Sequence, residues 1–322
     1  LRPRGRTALT PRAAAPILGS MPQYASPESA APGAAGEGAL PAFRRVFIIM
    51  MENRSYEELI GSPEAPFINH LARTYACAER YHGDGHPSLP NYLALLCGST
   101  QGLTADCPDC TFDAPNLADQ LEAQGRRWRA YIESLPYPGY NEPYAGAPPS
   151  AEAGPLYVRR HNPFLYFASI SGNPERARQV VPLDRFAADL QQGCLPDFVW
   201  VTPNQQHNMH DGTIRAGDDW LAAFVPPILA SEAWRDNGLL FIAWEESESG
   251  DIPGGRTLAL AIAARGRRGY RSAVTYSHYS LLRTVEDAFG LGHLGHAGDP
   301  ETRAMVDLLY EGPALSTSAP GL

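Results

Sequence analysis

A chain of 322 residues with 44% hydrophobic residues holds enough apolar material for one substantial core. Its formal net charge of −9 argues against a nucleic-acid partner held through phosphate contacts. No run approaches the roughly 18 consecutive apolar residues that a bilayer-spanning helix needs, and the composition is that of a soluble globular protein.

Residues 1–43 are rich in Ala, Pro, Gly and Ser without helical or strand period, as expected of a disordered leader or spacer. A single domain is expected over 44–312, with a flexible tail over 313–322. Within the domain, short apolar runs alternate with amphipathic stretches, the pattern of βα units and a largely parallel sheet. Strands are predicted at Val46–Met51, Trp128–Glu133, Phe198–Thr202, Leu239–Trp244 and Leu258–Ala263. Helices are predicted after Pro66, Ser88, Pro115, Asp184, Gly217 and Ser277. The Pro/Gly/Tyr-rich stretch from Leu135 to Gly154 breaks the rhythm and reads as a long surface insertion, with Tyr137, Tyr140 and Tyr144 in it. Cys107-Pro108-Asp109-Cys110 is a CxxC without a second ligand pair, so it is a weak zinc signal and suits a surface disulfide at least as well. Among five cysteines, Cys77, Cys97 and Cys194 are scattered, and export from the cytoplasm is favoured.

Two strand exits carry acids. Val46–Met51 runs into Glu52-Asn53-Arg54-Ser55, and Leu239–Trp244 runs into Glu245-Glu246. In an open α/β sheet, ligands gather beyond the carboxyl ends of the strands, so three carboxylates are expected at one edge, the oxygen-rich donor set of a divalent cation. Ser88, in His86-Pro87-Ser88-Leu89-Pro90-Asn91-Tyr92, opens an apolar helix. It reads either as an ordinary helix start or as a nucleophile stabilised, with an incoming phosphate, by the helix N-terminus. His161, His207, His210-Asp211 and His278 stand after strands or at helix starts, whereas His293 and His296 lie in a glycine-rich turn and read as structural.

As an ordered set, the segments Met51-Glu52-Asn53-Arg54-Ser55-Tyr56, His86 to Tyr92, Gly98 to Gly102, Arg160-His161-Asn162-Pro163, Met209-His210-Asp211, Gly217 to Leu221 and His278 to Asp287 resemble the phosphoesterase family of bacterial acid phosphatases and phospholipases C, within the alkaline phosphatase superfamily. The resemblance is greatest to its small secreted acid phosphatase branch. It implies a three-layer α/β/α sandwich and a metal-dependent phosphomonoesterase working through a phosphoserine. The alternatives are a phospholipase C-type phosphodiesterase and a non-catalytic secreted binding protein. By the resemblance Ser88 is the nucleophile, and His161, His210 and His278 serve the phosphate and leaving group. Glu52, Ser88, Glu245 and Glu246 hold a divalent metal ion, while Asn53, Asn91 and Asp211 hold substrate. Glu245 stands where relatives carry Asp. The expected partner is a phosphorylated small molecule or phosphoinositide, and the expected location is secreted or periplasmic.

Overall fold

A computed structural model describes residues 42–151, 154–247 and 252–310. The expected tail, most of the leader and the loop Glu248-Ser249-Gly250 lie outside the described residues. Phe43, assigned to the leader by composition, is buried in the core.

Ten strands are formed: β1 (Arg45–Met51), β2 (Ala76–His82), β3 (Trp128–Ile132), β4 (Tyr144–Ala145), β5 (Tyr157–Val158), β6 (Val180–Pro182), β7 (Phe198–Thr202), β8 (Gly238–Trp244), β9 (Arg256–Ala263) and β10 (Tyr270–Ser277). Eight of them build one sheet in the order β10-β2-β9-β8-β1-β7-β3-β6, and β4 pairs with β5 apart from it. Within the large sheet β9 runs antiparallel to β2 and β8, and every other neighbouring pair is parallel.

Both faces of the sheet are covered. Along β1, Val46, Ile48 and Met50 enter one core, while Phe47, Ile49 and Met51 enter the other. That alternation is the two-residue period of a strand buried on both sides. The first core lies beneath the helices Ser88–Cys97, Leu117–Ala123 and His278–Phe289. The second lies beneath Pro66–Thr74, Arg185–Gln191 and Ile214–Ala230. Each fully buried Leu, Ile, Val or Phe contributes about 1.5–3 kcal/mol, so the three layers hold together chiefly through these contacts. The expected α/β/α sandwich is the fold.

Some local expectations need correction. The long helix starts at Ile214, not after Gly217, because the Thr213 side chain accepts from the Ala216 amide and caps it there. Strands β2, β4, β5, β6 and β10 lie outside the predicted set. The first and last interleave charged or polar residues with the apolar ones, and β10 is an edge strand, half of which needs no apolar side chain.

Glu286 in the His278–Phe289 helix is fully buried, and one carboxylate oxygen accepts from the Leu294 amide at 2.8 Å. Burial pushes its carboxyl from the ordinary 4.5 up to about 8. Between those values the fold keeps the proton and the unfolded chain releases it. Its contribution to stability is therefore complete below pH 4.5 and lost as pH rises through 8. Glu286→Gln should flatten the fall of the unfolding temperature between pH 5 and 9, measured by calorimetry against wild type. Parallel curves for the two proteins would contradict this.

Candidate active site

The register of the two central strands builds the site. Met51 of β1 pairs with Trp244 of β8, so Glu52 and Glu245 leave the sheet at the same level, and the Glu245 amide donates to the Met51 carbonyl at 3.0 Å. Glu246 follows, and the serine helix brings Ser88 over the same edge. The Ser88 hydroxyl lies 3.5 Å from Glu52 Oε2 and 3.4 Å from Glu246 Oε1. All four residues are buried, Ser88 at 2% exposure.

Each carboxylate is held by other side chains. Tyr92, one helical turn beyond Ser88, donates its hydroxyl to Glu52 Oε1. His161 Nε2 lies 3.2 Å from the same oxygen, its ring stacked on Tyr92. Asn208 donates an amide proton to His161 Nδ1 at 3.4 Å, which leaves the imidazole proton on Nε2, facing Glu52. Burial, then the charges of Arg160 and His210, hold His161 well below the ordinary histidine range, so it stays neutral. Its Nε2 faces Glu52 without a hydrogen-bond partner. Glu246 Oε2 takes a 2.5 Å hydrogen bond from His86 Nδ1, and the His86 side chain is 47% exposed.

Two expected roles change. Asn91 spends its whole hydrogen-bonding capacity inside the protein. Its carbonyl accepts from the Asp84 and Gly85 amides, and its NH2 donates to the Gly85 carbonyl and to Glu245 Oε2 at 3.2 Å. It therefore positions Glu245 instead of meeting substrate. His278 accepts from the Tyr81 hydroxyl at 2.7 Å on Nδ1 and donates from Nε2 to the Glu245 carbonyl at 2.5 Å. With both ring nitrogens committed, and its pKa lowered to about 4 by burial, His278 braces the end of β8 and has no proton for a leaving group.

The rim is made of partly exposed charged groups. His210 Nδ1 donates to Asp211 Oδ1 at 2.6 Å, its Nε2 accepts from Arg160 at 3.1 Å, and its ring lies 5.5 Å from that of His161. Arg160 Nε also lies 3.5 Å from Asp106 Oδ2, and Asp106 Oδ1 accepts the Leu89 amide at 3.1 Å. That amide at the start of the serine helix is thus already taken. Asn53, half-buried at the end of β1, adopts a left-handed φ of 45°. Four contributors escaped sequence reasoning: His86, Tyr92, Asp106 and Arg160. For the first two, adjacency to Ser88 was the available signal. Asp106 has none, because its loop is distant in sequence and is closed by the Cys107–Cys110 disulfide.

The phosphoesterase family model matches residues 62–292. The chain belongs to the phosphoesterase family. It is a phosphoric ester hydrolase. It is 35% identical over 263 residues to a phosphatidylinositol-3-phosphatase of Mycobacterium tuberculosis, spanning 80% of this chain and 81% of that protein. It is 29% identical to an acid phosphatase of Aspergillus fumigatus, over 79% of this chain and 56% of that protein. Among solved structures, the phosphonate monoester hydrolase of Agrobacterium radiobacter shares the fold with a TM-score of 0.53 at 14% identity, over 81% of this chain and 78% of that one. A member of the alkaline phosphatase superfamily from Vibrio parahaemolyticus does so with 0.52 at 14%, over 81% and 72%.

In this phosphoesterase the donor chemistry fits a divalent cation. Three buried carboxylates surround one hydroxyl, and Glu245 Oε1 is buried without a hydrogen-bond partner. Burial, then the charge of Glu52 and a hydrogen bond to it, push the Glu245 carboxyl well above the usual range. Among the described residues, no three His, Cys, Asp or Glu side chains are already grouped at metal-binding distances.

Tyr92→Phe removes the donor that orients Glu52 while keeping the ring in the core. Loss of such a supporting hydrogen bond should lower kcat/KM about 10- to 100-fold, with an unfolding temperature near that of wild type. An unchanged kcat/KM would show that Glu52 needs no such support.

Proposed function

We propose that this phosphoesterase is a metal-dependent phosphomonoesterase that works through a phosphoserine at Ser88. The observation that carries the proposal is the Ser88 hydroxyl set between Glu52 and Glu246 at the carboxyl edge of the sheet. The relatives named as acid phosphatase and phosphatidylinositol-3-phosphatase support phosphate monoesters, phosphoinositides included, as the substrate class.

In the first step Ser88 Oγ bonds to phosphorus and the bond from phosphorus to the leaving alcohol breaks. The hydroxyl proton passes to Glu246 Oε1, whose other oxygen is held by His86 Nδ1, and returns to Ser88 when the phosphoserine is hydrolysed. The leaving oxygen takes a proton at the rim from His210. Its Nδ1 is held by Asp211 and its Nε2 faces Arg160 at the rim. Water then attacks phosphorus and frees Ser88. A divalent ion held by Glu52, Glu245, Glu246 and Ser88 would lower the pKa of the hydroxyl and draw charge from the phosphoryl oxygens. The Asn53 amide would donate to a remaining oxygen, while Asp211 holds His210. The Cys107–Cys110 disulfide favours a compartment that keeps thiols oxidised, which supports export. No described helix is long and apolar enough to cross a membrane.

Ser88→Ala should lower kcat for a nitrophenyl phosphate by about 10³-fold or more, and chelation should abolish wild-type turnover until divalent metal is returned. An active Ser88→Ala variant would overturn the phosphoserine. Activity that survives chelation would overturn the metal. Faster hydrolysis of nitrophenyl phosphocholine than of the monoester would move the assignment to a phosphodiesterase.

A further inference from the structure

The helix that carries Ser88 is capped from outside itself. Its N-cap position is Pro87, whose side chain makes no capping bond, and Pro90 brings no N–H to the first turn. The cap comes from a loop 17 residues further along, where Asp106 Oδ1 accepts the Leu89 amide at 3.1 Å. The second oxygen of that carboxylate, Oδ2, faces the Arg160 guanidinium, with Nε at 3.5 Å. An anionic group thus rests on a helix N-terminus and on an arginine at once, one residue from Ser88.

Both donors are of the kind that phosphoryl oxygens seek. Amides at a helix N-terminus bind phosphate, and a guanidinium fits phosphate oxygens as it fits those of a carboxylate. Both also stand at the reaction centre. Leu89 follows Ser88 in the chain, and Arg160 Nη2 donates to His210 Nε2 at 3.1 Å on the rim. The Asp106 and Arg160 side chains are partly exposed, and ion pairs open to solvent contribute little, so a phosphate dianion can displace the carboxylate. The loop behind Asp106 is held more firmly. The Cys107–Cys110 disulfide closes it, and the buried Arg159 donates to the carbonyls of Pro108 and Cys110. A displaced Asp106 therefore stays within reach of its two partners.

We infer that Asp106 is an internal competitor of phosphate, an inference that rests on the phosphomonoesterase reading for its place in the reaction. Its carboxylate holds the anion seat formed by the Leu89 amide and the Arg160 guanidinium, yields it to the phosphoryl group of the substrate, and retakes it as inorganic phosphate leaves. Asp106 thereby weakens the hold on substrate and product alike and hastens product release. A carboxylate that only capped the helix would act in the opposite sense, since its loss would loosen the first turn and weaken phosphate binding.

The probe is inorganic phosphate. Its affinity is read as competitive inhibition of nitrophenyl phosphate hydrolysis and, without turnover, by calorimetric titration of protein supplied with divalent metal. Asp106→Asn keeps an oxygen for the Leu89 amide and drops the charge. Phosphate should then bind about 10-fold more tightly, the equivalent of one hydrogen bond at 1.4 kcal/mol, and KM for the ester should fall in parallel. Arg160→Gln should weaken phosphate binding by a similar factor, and adding Asp106→Asn to it should recover little, because both changes act on one contact. In wild type the Leu89 amide and Arg160 Nε resonances should shift when phosphate is added, a reading that needs no variant to fold. Phosphate affinity unchanged or weakened in Asp106→Asn would leave Asp106 a helix cap and overturn the competitor, as would resonances that stay put at saturating phosphate. Tighter phosphate in Asp106→Asn without hydrolysis of any ester would keep the competitor and overturn the phosphatase reading. Ester hydrolysis with a phosphate affinity indifferent to Asp106 would do the reverse.

Discussion

Like charges do not gather in a dry place without compensation. Glu52, Glu245 and Glu246 are held around one serine where water is nearly excluded, and burying even one unpaired carboxylate is costly. Much of what surrounds them is compensation for that cost. Tyr92 places a donor on Glu52, Asn91 places one on Glu245, and His86 places one on Glu246. Each comes from a segment whose path is otherwise explained by packing. The serine helix supplies two of them, Asn91 and Tyr92, from the turn beyond Ser88.

The same constraint explains why histidines that look alike in the sequence take different parts. His278 sits behind β8 with both nitrogens used, keeping the Glu245 carbonyl in place. His161 lies inside and stays neutral. His86 and His210 lie nearer the surface, each paired with a carboxylate. Depth below the surface, more than proximity to phosphate, sorts bracing rings from proton carriers.

Much of this was legible in the sequence. The strand exits at Glu52 and Glu245-Glu246 could be read because an apolar run followed directly by acids has one place to go in a parallel sheet. Ser88 could be read because its helix is apolar throughout. The histidine roles were not legible, since whether a ring nitrogen meets a hydroxyl, a carbonyl or water is decided by elements far along the chain. Asn91 looked like a substrate ligand for the same reason: its partners at Asp84, Gly85 and Glu245 exist only in the folded turn. Tyr92 was hidden by its own ring, which reads as core and is core, while its hydroxyl holds Glu52. The fold class survived all of this because it depends on period and order rather than on particular contacts.

The central pairing also bears on when the site comes into being. β8 and β9 lie close in sequence and pair antiparallel, so the segment bearing Glu245 and Glu246 can find its partner by local search. Ser88 and Glu246 are 158 residues apart, and Glu52 is joined to them only once β1 has docked beside β8. Contacts of that span close late, after their loop entropy has been met. Ser88 and its carboxylates therefore come together only in a chain whose β1 has docked beside β8.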